Sequence, residues 1–287
     1  MYEISSFIKY KYVHSIKKEE KMNYGFFDYK GYIDGYHGQD FFGTTHIIAM
    51  VVLTALIAVM LVAFRKASKK SIDAYLKILS IIIPILEVVK IVWESYWDIK
   101  TGAGFNATGL LPLYTCSMFI YMLPLAAWTK GRVKDCAVAW LGTIGVFGGL
   151  TNFYLTQILN SYPFWTFATF MSLFFHFMMV FTGLLLVVSK YKEFNFKDTI
   201  RAWIPLAIFS VIVIPVCYIL KADYMLYYYG NGAPLLPDIA SFFASHGLRF
   251  VYTLLVCVGY ALIALIFISI YKLVGLIASK IKSKKQA

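Results

Sequence analysis

Residues 46–64 read HIIAMVVLTALIAVMLVAF, nineteen residues without a charged side chain, and Arg65 and Lys66 follow at once. A helix rises about 1.5 Å per residue and the hydrocarbon core of a bilayer is about 30 Å thick, so about 20 apolar residues form a spanning helix. A helix on the surface of a soluble protein carries a polar face, and this stretch has none. It predicts a membrane-spanning helix. Six further apolar runs follow, at roughly 72–97, 109–128, 135–158, 163–189, 199–220 and 247–275. The fold expected is an all-α, polytopic membrane bundle of about seven transmembrane helices. Residues 1–43 read as a polar or interfacial segment, 44–279 as the bundle and 280–287 as a basic cytoplasmic tail.

Composition agrees. The chain has 287 residues, 60% hydrophobic and 15% charged, with mean hydropathy +0.69. Soluble domains run near 45–50% apolar and about 25% charged. A disordered chain, a nucleic-acid-binding domain and an ordinary soluble enzyme are excluded. Residues 1–21 are mixed polar and basic without an apolar core, so no cleavable signal peptide is read there and the first span is expected to direct insertion. Cys116, Cys136, Cys217 and Cys257 all fall in apolar runs. Their spacing suits neither a metal site nor an extracellular disulfide framework. No metal and no cofactor is expected. Inside the runs, Pro84, Pro124 and Pro215 predict kinks, whereas Pro112, Pro163 and Pro205 are read near helix starts.

The net charge of +12 is a matter of topology. Arg65, Lys66, Lys69 and Lys70 follow the first run, Lys130, Arg132 and Lys134 the third, Lys190, Lys192, Lys197 and Arg201 the fifth. Lys272, Lys280, Lys282, Lys284 and Lys285 close the chain. The alternate connections hold few such residues. The positive-inside rule then places the C-terminus in the cytoplasm and the N-terminus outside. The Tyr-, Phe- and Gly-rich stretch Tyr24 to Phe42 suits a segment at headgroup level. The expected location is the cell membrane, as a multi-pass protein in contact with the lipid bilayer, with no nucleic-acid partner.

Polar groups inside an apolar run are costly and are functional candidates by default. The second run holds Lys77, Glu87, Lys90 and Glu94. The i,i+3 and i,i+4 spacings put the last three on one helix face, where they can neutralise one another or wall a polar cavity. Lys77 reads as snorkelling to the cytoplasmic side. Thr44, Thr45 and His46 open the first run, as an N-cap and an interfacial histidine or as part of a site. Tyr114, Thr115, Cys116 and Ser117 put four hydroxyl or thiol groups in a row. Asn152 lies toward the outer end of the fourth run, and His176 sits within Phe174-Phe175-His176-Phe177. A buried histidine needs a hydrogen-bond partner whether it is structural or catalytic. At about 1.5 Å per residue these groups concentrate in the outer half of the bundle, with Cys116 about 10 Å deep and His176 about 20 Å.

The order His46, Glu87, Leu111-Pro112-Leu113-Tyr114-Thr115-Cys116, His176 resembles the YwaF-like family of bacterial integral membrane proteins. That family is similar to eukaryotic transmembrane acyltransferases that remodel ether phospholipids, and more distantly to membrane hydrolases that cleave fatty-acid esters with a threonine and a histidine. The resemblance covers most of residues 41–275. It implies a membrane phospholipid or acyl-lipid substrate, Cys116 as nucleophile, His176 as base, and Glu87 or Asn152 orienting the histidine or stabilising charge. The chain departs from the pattern at Tyr114, where the family often has histidine. It departs again at Leu113, which separates Pro112 from the position where the acyltransferases carry cysteine. Thr115 is the fallback nucleophile by analogy with the threonine hydrolases. Two other functions compete: an ion-coupled small-molecule transporter using Glu87, Lys90 and Glu94, and a non-catalytic membrane receptor or assembly protein.

Overall fold

The computed structural model describes residues 24–30, 33, 36, 38, 42–102, 104, 106–155 and 158–284. Residues 1–23 and several of 31–41, within the polar or interfacial segment expected over 1–43, and the last residues of the basic tail, Lys285 among them, lie outside the described residues. Those described form helices, turns and loops with no strand. The helices are α1 (Thr44–Phe64), α2 (Lys69–Lys100), α3 (Met118–Trp128), α4 (Gly131–Trp140), α5 (Val146–Tyr154), α6 (Phe167–Val188), α7 (Lys197–Leu220), α8 (Leu236–Ser245) and α9 (Arg249–Lys284). Single turns at Ala107–Leu110 and Ile158–Ser161 precede α3 and α6.

Among the described residues, five helical segments are long and apolar enough to cross a membrane: Thr44–Phe64, Gly131–Ser161, Phe167–Val188, Lys197–Leu220 and Arg249–Ile281. The other two expected runs differ for physical reasons. Helix α2 has ample length at 32 residues, but it carries the charged ladder. Helix α3 has only 11 residues, because residues 111–117 are not α-helical. Pro112 has no N–H to donate and disfavours helical geometry at Leu111. Pro112 therefore lies in the interruption rather than at a helix start. Pro205 is likewise inside α7, together with Pro215, and α6 begins at Phe167, four residues after Pro163.

Local chemistry sets several ends. The Ser68 hydroxyl accepts the Ser71 N–H at 3.1 Å and starts α2. The Thr166 hydroxyl accepts the Thr169 N–H and starts α6. The N-cap of α1 is Gly43, not a threonine. Between α4 and α5 the helix widens into a π-turn, Leu141–Gly145, and Tyr271 donates to the Gly142 carbonyl at 2.6 Å.

The segment α4–π-turn–α5 is the buried axis, with Trp140 and Leu141 in the largest core cluster. Helices α3, α6, α7 and α9 pack around it, and α2 packs on α3. Gly183 lets α6 approach the π-turn, since a Cβ there would run into the Leu141 carbonyl oxygen and the Val146 side chain. Helix α1 is peripheral and rests on α6. Its outward residues, including Val51, Val52, Leu56, Val59 and Val62, are exposed. Apolar surface on this scale suits lipid rather than water.

The two ends of the bundle differ. At one end Asp73 accepts from Lys134 at 2.8 Å and from the Tyr191 hydroxyl at 2.6 Å. Asp198 there pairs with Lys192 and Arg201, each at 2.8 Å. At the other end the stretch from Tyr24 folds over the helices. Trp93 and Trp97 both donate to the Phe27 carbonyl. The Tyr29 hydroxyl donates to Asp98, and Tyr36 donates to the Leu159 and Tyr162 carbonyls. Burial first, then the Asp98 carboxylate, pushes the Tyr29 phenol up to about 12.

Candidate functional site

Five of the nine residues singled out in the sequence line one cavity of about 200 Å³: Glu87, Lys90, Glu94, Cys116 and His176. It lies between α2, the start of α3 and the N-terminal half of α6. The ladder on α2 forms one wall, as its spacing predicts. Lys90 Nζ donates to Glu87 Oε1 at 2.9 Å, and Glu94 is the next turn along. A charge pair in contact is far cheaper to hold inside a bundle than either charge alone.

Cys116 enters from the interruption before α3. The backbone there is a tight turn, in which Met118 donates to the Thr115 carbonyl and Phe119 to the Cys116 carbonyl. Cys116 is thus at the N-terminal end of α3.

His176 comes from α6. Its Nδ1 lies 2.7 Å from the Ser172 carbonyl oxygen. A carbonyl only accepts, so Nδ1 carries the proton. Nε2 is then the lone-pair nitrogen, and it is buried without a hydrogen-bond partner among the described residues. Such an arrangement is chemically that of a base held in one tautomer.

The different depths read from the sequence do not keep Cys116 and His176 apart, since both line this cavity. Because α6 starts at Phe167, His176 is about 14 Å from that end, at about 1.5 Å per residue. Cys116 follows a non-helical stretch, so its depth does not scale with residue count.

The other four candidates lie elsewhere. The Thr115 hydroxyl is 2.6 Å from the Tyr260 hydroxyl, which itself donates to the Met225 carbonyl at 3.2 Å. Tyr260 has one proton, so Thr115 is the donor of that pair. Tyr114 packs edge-on against Tyr224, with centroids 5.1 Å apart. Asn152 donates to the Gly148 carbonyl of its own helix at 3.4 Å. His46 is buried, and its Nδ1 accepts the Phe42 N–H at 3.1 Å. It supports the start of α1.

Ser117 and Phe175, neighbours of Cys116 and His176 in the sequence, also line the cavity, as do Tyr162 and Ser172, which were not singled out in the sequence. Ser172 was findable, being four residues before His176 on the same helix face. Tyr162 had no local signal. Among the described residues no group of three or more His, Cys, Asp or Glu side chains could hold a metal ion.

Tyr260 also borders a second cavity, of about 380 Å³, bounded by α8, α9, Phe147 and the loop before α8. Cys116 therefore lines the first cavity, and its neighbour Thr115 bonds a residue in the wall of the second.

Comparison with curated proteins yields no match, and none is found among solved structures. A family model does match, over residues 41–270, from just before α1 into the second half of α9. The chain is a membrane protein, and it belongs to the TMEM164 family.

Proposed function

We propose that this protein is a lipid acyltransferase or lipid-ester hydrolase of the membrane, with Cys116 as nucleophile and His176 as base. The observation that carries the proposal is the wall shared by Cys116 and a histidine whose Nδ1–H is tied to Ser172, leaving Nε2 unpartnered. In this reading Nε2 takes the thiol proton and the sulfur attacks the ester carbonyl of an acyl lipid. The tetrahedral intermediate collapses, the ester C–O bond breaks, and the departing alkoxide takes the proton from the imidazolium. A thioester on Cys116 remains. An acceptor hydroxyl, from a lysolipid or water, then gives its proton to Nε2 and attacks the thioester. The C–S bond breaks, and the sulfur recovers the proton.

Lys90 supplies positive charge for the oxyanion or for a lipid phosphate, and Glu87 holds it in place. Thr115 is the alternative nucleophile, but its proton is directed to Tyr260. The transporter reading uses Glu87, Lys90 and Glu94 alone and leaves Cys116 and His176 without a part. The same proposal takes all seven runs as crossings, with the basic end cytoplasmic and the cavity opening toward the outer half of the cell membrane.

The test is incubation of purified protein with acyl-labelled phospholipid, comparing wild type with Cys116→Ala, Thr115→Ala and His176→Ala. Loss in the first and third and retention in the second supports the assignment. Equal activity in all four overturns it.

A further inference from the structure

We propose that the second cavity is an acyl-chain site, which holds the hydrocarbon tail of the lipid whose carbonyl reacts at Cys116. This deepens the acyl-transfer reading and rests on it. Four observations lead there. The cavity has about 380 Å³, a volume within the range of small-molecule sites. Its lining is apolar, with Leu236, Ile239, Leu255 and Ile263 on facing walls. Its two tyrosine hydroxyls are already engaged: Tyr252 donates to the Leu226 carbonyl at 2.8 Å, and Tyr260 bonds Thr115 and Met225. A polar ligand would leave its own groups unpaired here, whereas a hydrocarbon chain leaves none.

Position gives the third argument. Helix α8, which forms one wall, turns Phe242 outward at 58% exposure, and Leu235 just before it is 73% exposed. Exposed apolar residues on the element that walls the cavity suit contact with the acyl layer of a bilayer, where hydrocarbon chains are abundant. The fourth is continuity. The Tyr260–Thr115 pair joins this cavity's wall to the residue next to Cys116. A chain lying along α9 with its head at Tyr260 brings its ester beside Thr115, the residue before Cys116.

Gly259 provides the test. It lines the cavity, and a Cβ added there meets nothing within 4 Å. A side chain at 259 therefore starts in open space; Gly259→Phe is chosen to fill the cavity, and Gly259→Ala is its control. A phospholipid with a photoreactive diazirine at the acyl terminus is crosslinked to purified wild type, Cys116→Ala, Gly259→Ala and Gly259→Phe, and the adducts are mapped by peptide mass.

The expected adducts lie on residues 236–263 in wild type, Cys116→Ala and Gly259→Ala. They drop about tenfold or more in Gly259→Phe, a loss of about 1.4 kcal/mol or more of binding. Adducts elsewhere, or an undiminished yield in Gly259→Phe, overturn the site. Adducts on 236–263 in a protein that transfers no acyl group keep the chain site and remove the enzyme reading. Acyl transfer that Gly259→Phe leaves unchanged for every chain length removes the site and keeps the enzyme reading.

Discussion

The two cavities are linked through the bond between Thr115, next to Cys116, and Tyr260, and are built by opposite rules. The first is walled by Glu87, Lys90, Glu94 and His176, groups that are expensive in a membrane unless they pair. The second is walled by aliphatic and aromatic carbon, with its few hydroxyls satisfied internally. Their covers differ as well. The segment around Tyr29 packs against Tyr162 at the rim of the polar cavity, and the amphipathic α8 lies over the apolar one. A polar cavity beside an apolar one suits the proposed substrate, a lipid with a polar head and a long tail.

The largest effect that separates the two cavities is on turnover. Cys116→Ala and His176→Ala should each lower acyl transfer from labelled phospholipid by about 10²–10⁴-fold. Gly259→Ala in the apolar wall should leave it within about twofold. Comparable losses in all three erase the distinction.

The next effect is on stability. Glu87→Gln leaves Lys90 charged without its partner, which should cost on the order of 3 kcal/mol in detergent unfolding. The double change Glu87→Gln with Lys90→Met should recover most of that. If the single change is silent, the pair at 2.9 Å is not holding the polar wall.

Smaller is the effect at the boundary itself. Tyr260→Phe removes the acceptor of Thr115 and should cost about 1 kcal/mol. It should also increase hydrogen exchange in residues 111–117, where the helix is already interrupted. Unchanged exchange there means the boundary is set by backbone alone.

The smallest concerns the cover of the polar cavity. Tyr29 ionises at 10.0 when free and at about 12 here. A raised folded-state value means its contribution is complete below pH 10 and is lost as pH rises through the folded value. Limited proteolysis of the segment around Tyr29 should be constant below about pH 9, then increase with further alkali in wild type; Tyr29→Phe should lack that step.

Much of this was legible in the sequence because the membrane makes a few rules strict. An uncharged run such as 46–64 has one stable form in lipid, and α1 starts and ends within about two residues of it. The α2 ladder follows from i,i+3 and i,i+4 arithmetic, so the presence of Glu87, Lys90 and Glu94 on one wall was readable. The interruption at 111–117 was not, because hydropathy measures burial and says nothing of which backbone bonds close. Pro112 carried the signal but also fits a helix start. The Thr115–Tyr260 bond joins residues 145 apart, and no local pattern encodes it. The same holds for the second cavity, whose walls are unremarkable apolar positions until α8 folds over them.

The central claim is that Cys116 carries the acyl group. The most direct measurement is intact-protein and peptide mass spectrometry after incubation with a phospholipid of isotopically labelled acyl chain, with and without hydroxylamine. The account predicts one labelled acyl group on the peptide containing Cys116, released by hydroxylamine and absent in Cys116→Ala and His176→Ala. A label on another residue, or none on Cys116 while acyl transfer proceeds, would contradict it.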